Sequence, residues 1–288
     1  MKTIYLADDD EDDRMLIRLA LEQVTNHTHI VEFDAGDQLI RLIGNQELPD
    51  DPAVIIMDMN MPRMNGLETL SLLKASKTCR HIPVVMLSSA SHRDLIREAY
   101  GRGVNAFVEK PVYESDFVRL AKAVDACFLD VGHADQPLPG NPGKEGSIIV
   151  IEDNEDHRFF IRHALRETMP AVRVVEFSDA ADVTERLGPM WNDIRPAPHL
   201  ILMDLYLPTR QDGLDLLINI HQLLVAKDSR SVPVVVFSCS DKFEDMRESY
   251  QHNANAYMTK GNNASDWKYD FRNLHHFWWN TVSIPEYR

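Results

Sequence analysis

The 288-residue sequence predicts a doubly wound α/β fold used twice, each copy a parallel sheet of order 2-1-3-4-5 with helices on both faces. Three observations predict it. Short, wholly apolar runs of strand length alternate with amphipathic helical stretches, five of each per half. A proline- and glycine-rich stretch separates the halves. The same kinds of polar residue then end corresponding strands in both.

In the first half the strand-like runs are Ile4–Ala7, His29–Phe33, Val54–Met57, Val84–Leu87 and Ala106–Val108. Helical patterns lie near 12–25, 36–44, 65–76, 92–101 and 114–129. Leu16, Leu19, Ala20 and Gln23 mark one helical stripe, and Phe117, Leu120, Val124 and Phe128 another. The second half repeats the plan with strands at Ile148–Ile151, Arg173–Glu176, Leu200–Met203, Val234–Phe237 and Ala256–Met258. Its helices are expected near 156–168, 179–187, 213–226, 242–252 and 265–282. Residues 131–146, VGHADQPLPGNPGKEG, hold three prolines and four glycines and sustain neither helix nor strand. The expected organisation is therefore a domain over 1–130, a linker over 131–146 and a domain over 147–288.

Composition narrows the function. Hydrophobic residues make up 44% and charged residues 26%, enough for a real core in each half. No apolar run approaches the roughly 20 residues that cross a bilayer, and Met1-Lys2-Thr3-Ile4 leaves no room for a signal peptide. A cytoplasmic protein without membrane contact is expected. The formal net charge of −15 argues against nucleic acid and for cations or basic protein surfaces as partners. Cys79, Cys127 and Cys239 match no zinc or redox spacing and are expected to be free thiols.

The chemistry lies at the strand ends. The first strand of each half ends in an acidic pair, Asp8-Asp9 and Glu152-Asp153; the third ends in Asp58 and Asp204. The fourth ends in Ser88 and Ser238, the fifth in Lys110 and Lys260. The spacing recurs: 49 residues from Asp9 to Asp58 against 51 from Asp153 to Asp204, and 22 from serine to lysine in both halves. An acidic residue at a strand end is ordinarily a helix cap or a solvated terminus. Four polar groups recurring in order are not so explained. In an open parallel sheet these ends converge where the strand order reverses. Crowded carboxylates call for a cation, and oxygen donors alone suit a hard one such as Mg²⁺. An ionised aspartate beside a lysine ammonium and a serine hydroxyl can accept a phosphoryl group.

These residues resemble the response-regulator receiver domains of two-component signalling, through LADDDEDDR, IIMDMNMPRMNG, PVVMLSSAS and NAFVEKPV, then VIEDNEDHR, LILMDLYLPTRQDG, PVVVFSCS and NAYMTKG. The resemblance implies a flavodoxin-like fold. It implies phosphorylation of Asp58, Mg²⁺ held by Asp9, Asp58 and the Asn60 carbonyl with Asp8 assisting, and phosphoryl contacts from Ser88 and Lys110. In the second half the same roles fall to Asp204, Asp153, the Tyr206 carbonyl, Glu152, Ser238 and Lys260, with one Mg²⁺ per domain. Phe107 and Tyr257 match an aromatic position that changes rotamer on phosphorylation in this family.

Departures from the pattern concentrate in the second half. Lys110 precedes Pro111, where a cis peptide would aim the lysine inward, but Lys260 precedes Gly261. Gly213 follows Asp204 by nine positions, Gly66 follows Asp58 by eight, and bulky Tyr206 replaces Asn60 and could shield an acyl phosphate. Near the C-terminus Trp267, Phe271, Leu274 and Trp278 share a helical face, while Phe277 and Trp279 are expected to point elsewhere as a partner surface. Phe277-Trp278-Trp279 followed by Ile284-Pro285 resembles the small receivers that partner bacterial phytochrome kinases. The adjacent His275 and His276 make a poor metal pair.

The leading expectation is a phosphorelay protein without an output domain. It would take phosphoryl groups from a histidine kinase, of phytochrome type by the C-terminal resemblance, or from a histidine phosphotransfer protein. Its output would be altered protein contacts, including a homodimer through the face of helix 4, strand 5 and helix 5. It would not be an enzyme beyond its own phosphorylation and dephosphorylation. In an alternative, one receiver, the second by preference, is an unphosphorylated docking or dimerisation module. An aspartate-nucleophile hydrolase ordinarily places a second aspartate two residues after the first, where Asn60 and Tyr206 stand.

Overall fold

The computed structural model describes residues 2–25, 28–44, 53–129, 145–261 and 264–284. They form two compact units that divide between residues 136 and 137. The expected linker, 131–146, lies outside the described residues except for Glu145 and Gly146, and Gly146 already opens a strand.

The first unit runs β1 (Lys2–Ala7), α1 (Glu11–Val24), β2 (Thr28–Phe33), α2 (Gly36–Gly44), β3 (Val54–Asp58), α3 (Gly66–Ala75), β4 (Val84–Ser88), α4 (Arg93–Gly101), β5 (Ala106–Glu109) and α5 (Glu114–Val124). Its sheet is parallel in the order β2-β1-β3-β4-β5. The unit also takes in Thr281–Ser283, where Val282 bridges Val108 of β5 in antiparallel sense.

The second unit runs β6 (Gly146–Ile151), α6 (Glu155–Thr168), β7 (Val172–Phe177), α7 (Ala180–Met190), β8 (Pro198–Met203), α8 (Arg210–Ala226), β9 (Val234–Ser238), α9 (Phe243–Gln251), β10 (Ala256–Thr259) and α10 (Ala264–His275). Its order, β7-β6-β8-β9-β10, is the same plan. Both domains are thus flavodoxin-like.

Burial explains the strands. Every residue of β3, β4 and β9 is buried, as a central strand covered on both faces requires. The edge strands β2 and β7 are only half-buried, and their charges are matched from the neighbouring helix: Arg18 to Glu32 at 2.8 Å, Arg162 to Glu176 at 2.7 Å. Capping fixes the helix starts. Asp10 accepts from the N–H groups of Asp12 and Asp13 to open α1, and Asn65 with Glu68 forms a capping box on α3. A second box, Thr209 with Asp212, starts α8 at Arg210, three residues before the expected Gly213.

Several expectations need correction. The buried stripe of α1 is Ile17, Ala20 and Leu21, with Leu19 49% exposed and Gln23 exposed. Its register is one residue later than expected, because two stripes of equal period compete and packing against α5 and the sheet selects one. The α5 stripe of Phe117, Leu120, Val124 and Phe128 is buried as expected. The helices α5 and α10 both end in a π-helical turn, Asp125–Leu129 and His276–Thr281. The wider turn redistributes the side chains, so Phe277 and Trp279 lie buried with Trp278 rather than forming a surface. Trp279 packs on His199 with ring centroids 4.2 Å apart and lies against Gly146. The cis peptide at Lys110–Pro111 is also absent; the cis bonds among the described residues are Arg195–Pro196 and Leu207–Pro208.

Candidate functional site

Parallel register brings the polar strand ends to one rim. Ala7 lies opposite Met57 and Asp58 opposite Leu87, so Asp8, Asp58 and Ser88 emerge together. The β6–β8 register does the same for Glu152 and Asp204. Asp8 is fully buried, Asp58 is 4% exposed and Asp204 is 8% exposed. The chain after the third strand must then turn back sharply. A β-carbon on Gly66 would lie 2.6 Å from the Asp58 carbonyl oxygen, and one on Gly213 would lie 1.7 Å from that of Leu205. Only glycine lets α3 and α8 start so close to Asp58 and Asp204.

In the first unit the Lys110 ammonium gathers the site. It lies 2.8 Å from Asp8, 2.7 Å from Asp13 and 3.1 Å from Asp58. The Lys110 N–H donates to the Ser88 carbonyl at 2.8 Å, which aims the lysine without a cis proline. Asp58 Oδ2 accepts the Asn60 N–H at 2.6 Å, and Asp8 Oδ1 accepts that of Asp10 at 3.0 Å. Arg14 donates to the Asp8 carbonyl at 2.5 Å and fixes the end of β1.

The second unit repeats this geometry. The fully buried Lys260 ammonium donates to Glu152 at 2.7 Å and Asp204 at 2.6 Å, and lies 3.3 Å from His157 Nδ1. The Lys260 N–H donates to the Ser238 carbonyl at 2.7 Å. Asp204 Oδ1 accepts from the Leu205 and Tyr206 N–H groups at 2.6 and 3.3 Å. Arg158 donates to the Glu152 carbonyl at 2.6 Å, matching Arg14. Gly261 needs no side chain here: a β-carbon would lie 2.2 Å from Asp266 Cβ, and its carbonyl accepts the Trp267 indole N–H at 2.7 Å.

Charge and burial compete in both pockets. Burial lifts the Asp8 carboxyl to about 6, and the Lys110 ion pair only partly opposes this. Burial works against the charge on Lys110, but Asp13, Asp8 and Asp58 outweigh it and hold the ammonium above its usual range. The ammonium gains from three carboxylates, while Asp8 has one cation to offset its loss of water. Glu152 is likewise raised, chiefly by burial, with Lys260 opposing and Asp204 adding to the shift. Asp204 and Glu152 overcome the burial of Lys260 and raise it.

Not every expected residue joins the cluster. Asp9 and Asp153 are exposed, and the side chain of Ser88 exchanges hydrogen bonds with the Ala90 backbone, at 2.9 and 3.1 Å. The Ser238 hydroxyl accepts weakly from the Ser240 N–H at 3.4 Å. Phe107 is fully buried, whereas the Tyr257 hydroxyl reaches the Ser240 carbonyl at 2.8 Å. Tyr206 is tied sideways, its hydroxyl donating to Asp245 of α9 at 3.0 Å.

Sequence reasoning missed Asp13 and His157, each five residues after the first acidic residue and on the first turn of the following helix. That offset is the available signal, because the first turn abuts the strand ends. It also missed buried Asp245, which accepts from Tyr206, Ser240 and Arg210. These donors outweigh burial and hold the Asp245 carboxyl below its usual range.

The donor sets fit a divalent cation. In each pocket an ammonium already occupies the centre of the acidic groups, where positive charge is demanded. Asp8, Asp13 and Asp58 present oxygen in the first unit; Glu152 and Asp204 do so in the second, joined by His157.

Both halves of the chain are similar to known proteins. The response regulator receiver domain family matches the chain twice, over residues 4–125 and 148–268. Response regulator Rcp1 of Synechocystis is 30% identical over 148 residues, covering 50% of this chain and 95% of that protein. The two-component response regulator ORR1 of Oryza sativa subsp. indica is 28% identical over 127 residues, 43% of this chain. The chain spans about half of that relative's length (55%). Among solved structures, the phosphorylated cyanobacterial phytochrome response regulator RcpA aligns with a TM-score of 0.42 and 28% identity, over 47% of this chain and 99% of that one. Receiver domains of this family generally bind Mg²⁺. With two family matches laid over two pockets of one design, the chain belongs to the response regulator receiver family and carries two receiver domains in tandem.

Proposed function

We propose that the chain accepts phosphoryl groups on Asp58 and Asp204, each with one Mg²⁺, from a histidine kinase or a histidine phosphotransfer protein. The observation that carries this reading is the strand-end lysine of each domain, which joins the first-strand acid to the third-strand aspartate. A carboxylate oxygen of the aspartate attacks phosphorus; the new O–P bond forms as the P–N bond to the donor imidazole breaks, and the proton taken up by that imidazole comes from solvent or the donor protein. Backbone N–H groups of residues 60, 205 and 206 orient the acceptor carboxylates. The ammonium leaves its carboxylate partners and meets the incoming phosphoryl oxygens. A bound divalent cation supplies further positive charge against the transferring group.

The chain acts in the cytoplasm and turns over nothing except its own acyl phosphates. No helix among the described residues is long and apolar enough to cross a membrane. Output passes through changed protein contacts, including self-association through α4, β5 and α5, and the net charge of −15 disfavours nucleic acid. The resemblance of the C-terminal Phe277-Trp278-Trp279 stretch supports a phytochrome-type kinase as donor. Acetyl phosphate with Mg²⁺, followed by intact-mass measurement, tests the reading. Two added phosphoryl groups are expected, falling to one in Asp58→Ala and one in Asp204→Ala. A single group lost only in Asp58→Ala would make the second domain a docking module.

A further inference from the structure

We infer that the second receiver is a nitrogen-containing cation site, in which His157 joins Glu152 and Asp204 and raises affinity for borderline divalent cations such as Co²⁺ or Zn²⁺, relative to Mg²⁺, beyond that of the first site. The inference rests on the reading of the Asp204 pocket as a cation site and adds its donor and its preference. One ligand atom from each of Glu152, His157 and Asp204 lies within 4.8 Å of the others, and among the described residues this is the one group of His, Cys, Asp and Glu donors drawn so close. The Lys260 ammonium marks the centre, 2.7 Å from Glu152, 2.6 Å from Asp204 and 3.3 Å from the His157 Nδ1. Nδ1 is also 3.2 Å from Glu152, so this nitrogen faces inward. The ring is held by its half-buried setting and lies 5.5 Å from the Trp267 ring.

The first receiver supplies its own control. Lys110 meets Asp8, Asp58 and Asp13 at matching positions, so Asp13 stands where His157 stands. One site offers three carboxylates, the other two carboxylates and an imidazole. Oxygen-only sets favour Mg²⁺, while imidazole strengthens binding of first-row cations toward the later part of the series and adds no negative charge. Two receivers of one chain then differ in their relative preference among divalent cations.

The test titrates the full chain with Co²⁺ and with Mg²⁺ by calorimetry, one site being silenced at a time. Asp8→Asn with Asp58→Asn leaves the second site, and Glu152→Gln with Asp204→Asn leaves the first. The Co²⁺-to-Mg²⁺ affinity ratio is expected to be larger at the second site by about tenfold or more, the scale on which even outer partners of metal ligands act. His157→Asp should bring the two ratios together, and His157→Ala should lower Co²⁺ affinity with little change for Mg²⁺. Proton NMR of the Co²⁺ form should show hyperfine-shifted imidazole ring protons that both variants lose, with tryptophan fluorescence confirming that each is folded. Equal ratios at the two sites, or no shifted imidazole signal, would overturn the inference. If Asp204 is still phosphorylated with Mg²⁺ in that case, the receiver reading stands; if neither ion binds and no label appears, both fail.

Discussion

Replacing Lys260 with alanine removes the one ammonium that lies between Glu152 and Asp204, at 2.7 and 2.6 Å. The lysine side chain is wholly buried, as is nearly all of Glu152, so water cannot replace the lost charge. Removing one partner of such a pair costs about 3–5 kcal/mol. With a urea dependence of about 2 kcal/mol per molar, that lowers the unfolding midpoint by roughly 2 M. The assay isolates the right domain, because all four tryptophans, Trp191, Trp267, Trp278 and Trp279, lie in the second half. Their fluorescence in urea, in cation-free buffer at neutral pH, should therefore report the full loss. Mg²⁺ or Co²⁺ should restore part of it by supplying the missing charge. Lowering the pH should also shrink the deficit. A carboxyl raised by burial, as Glu152 is, binds its proton more readily folded than unfolded, so stability grows as pH falls through its folded pKa. A fall of less than about 1 kcal/mol, or no recovery with either cation, would refute the reasoning.

Three further outcomes are expected. Asp8, lifted to about 6 from 3.8, should titrate near pH 6 by carboxyl carbon NMR in cation-free buffer; the first domain should lose on the order of 3 kcal/mol of stability as pH rises from 4 through 6, and Asp8→Asn should flatten that dependence. Gly213→Ala places a β-carbon 1.7 Å from the Leu205 carbonyl, and should cost about 1–3 kcal/mol by tryptophan fluorescence and suppress phosphorylation of Asp204 while sparing Asp58. Asp245→Ala strips an acceptor from Tyr206, Arg210 and Ser240, and should cost about 1–3 kcal/mol in urea unfolding of the second domain.

The tandem fold was legible because buried parallel strands are written as short unbroken apolar runs, such as Val54–Met57 and Val234–Phe237, set between longer helical patterns. Asp58 and Asp204 were legible because each ends such a run. Asp13 and His157 were not. They sit among other polar residues at a helix start, and only the fold shows that this turn leans over the strand ends. The burial of Phe277 and Trp279 was hidden for another reason. Periodicity assumes 3.6 residues per turn, and the wider π turn at His276–Thr281 breaks that assumption without any proline or glycine to announce it. The phase of α1 failed more mildly, since its packing partner is distant in sequence.

Asp245 is a single acceptor for three donors from two separate stretches of chain: Tyr206 and Arg210 around the start of α8, and Ser240 before α9. Ser240 in turn holds the Tyr257 hydroxyl through its carbonyl. Moving either stretch breaks a hydrogen bond to the acceptor that the other shares. At the matching positions the first half has Asn60, Ala90 and Leu95, which share no acceptor of this kind. The second half thus ties its pocket loops through one carboxylate, a link that the apolar side chain of Leu95 cannot make in the first.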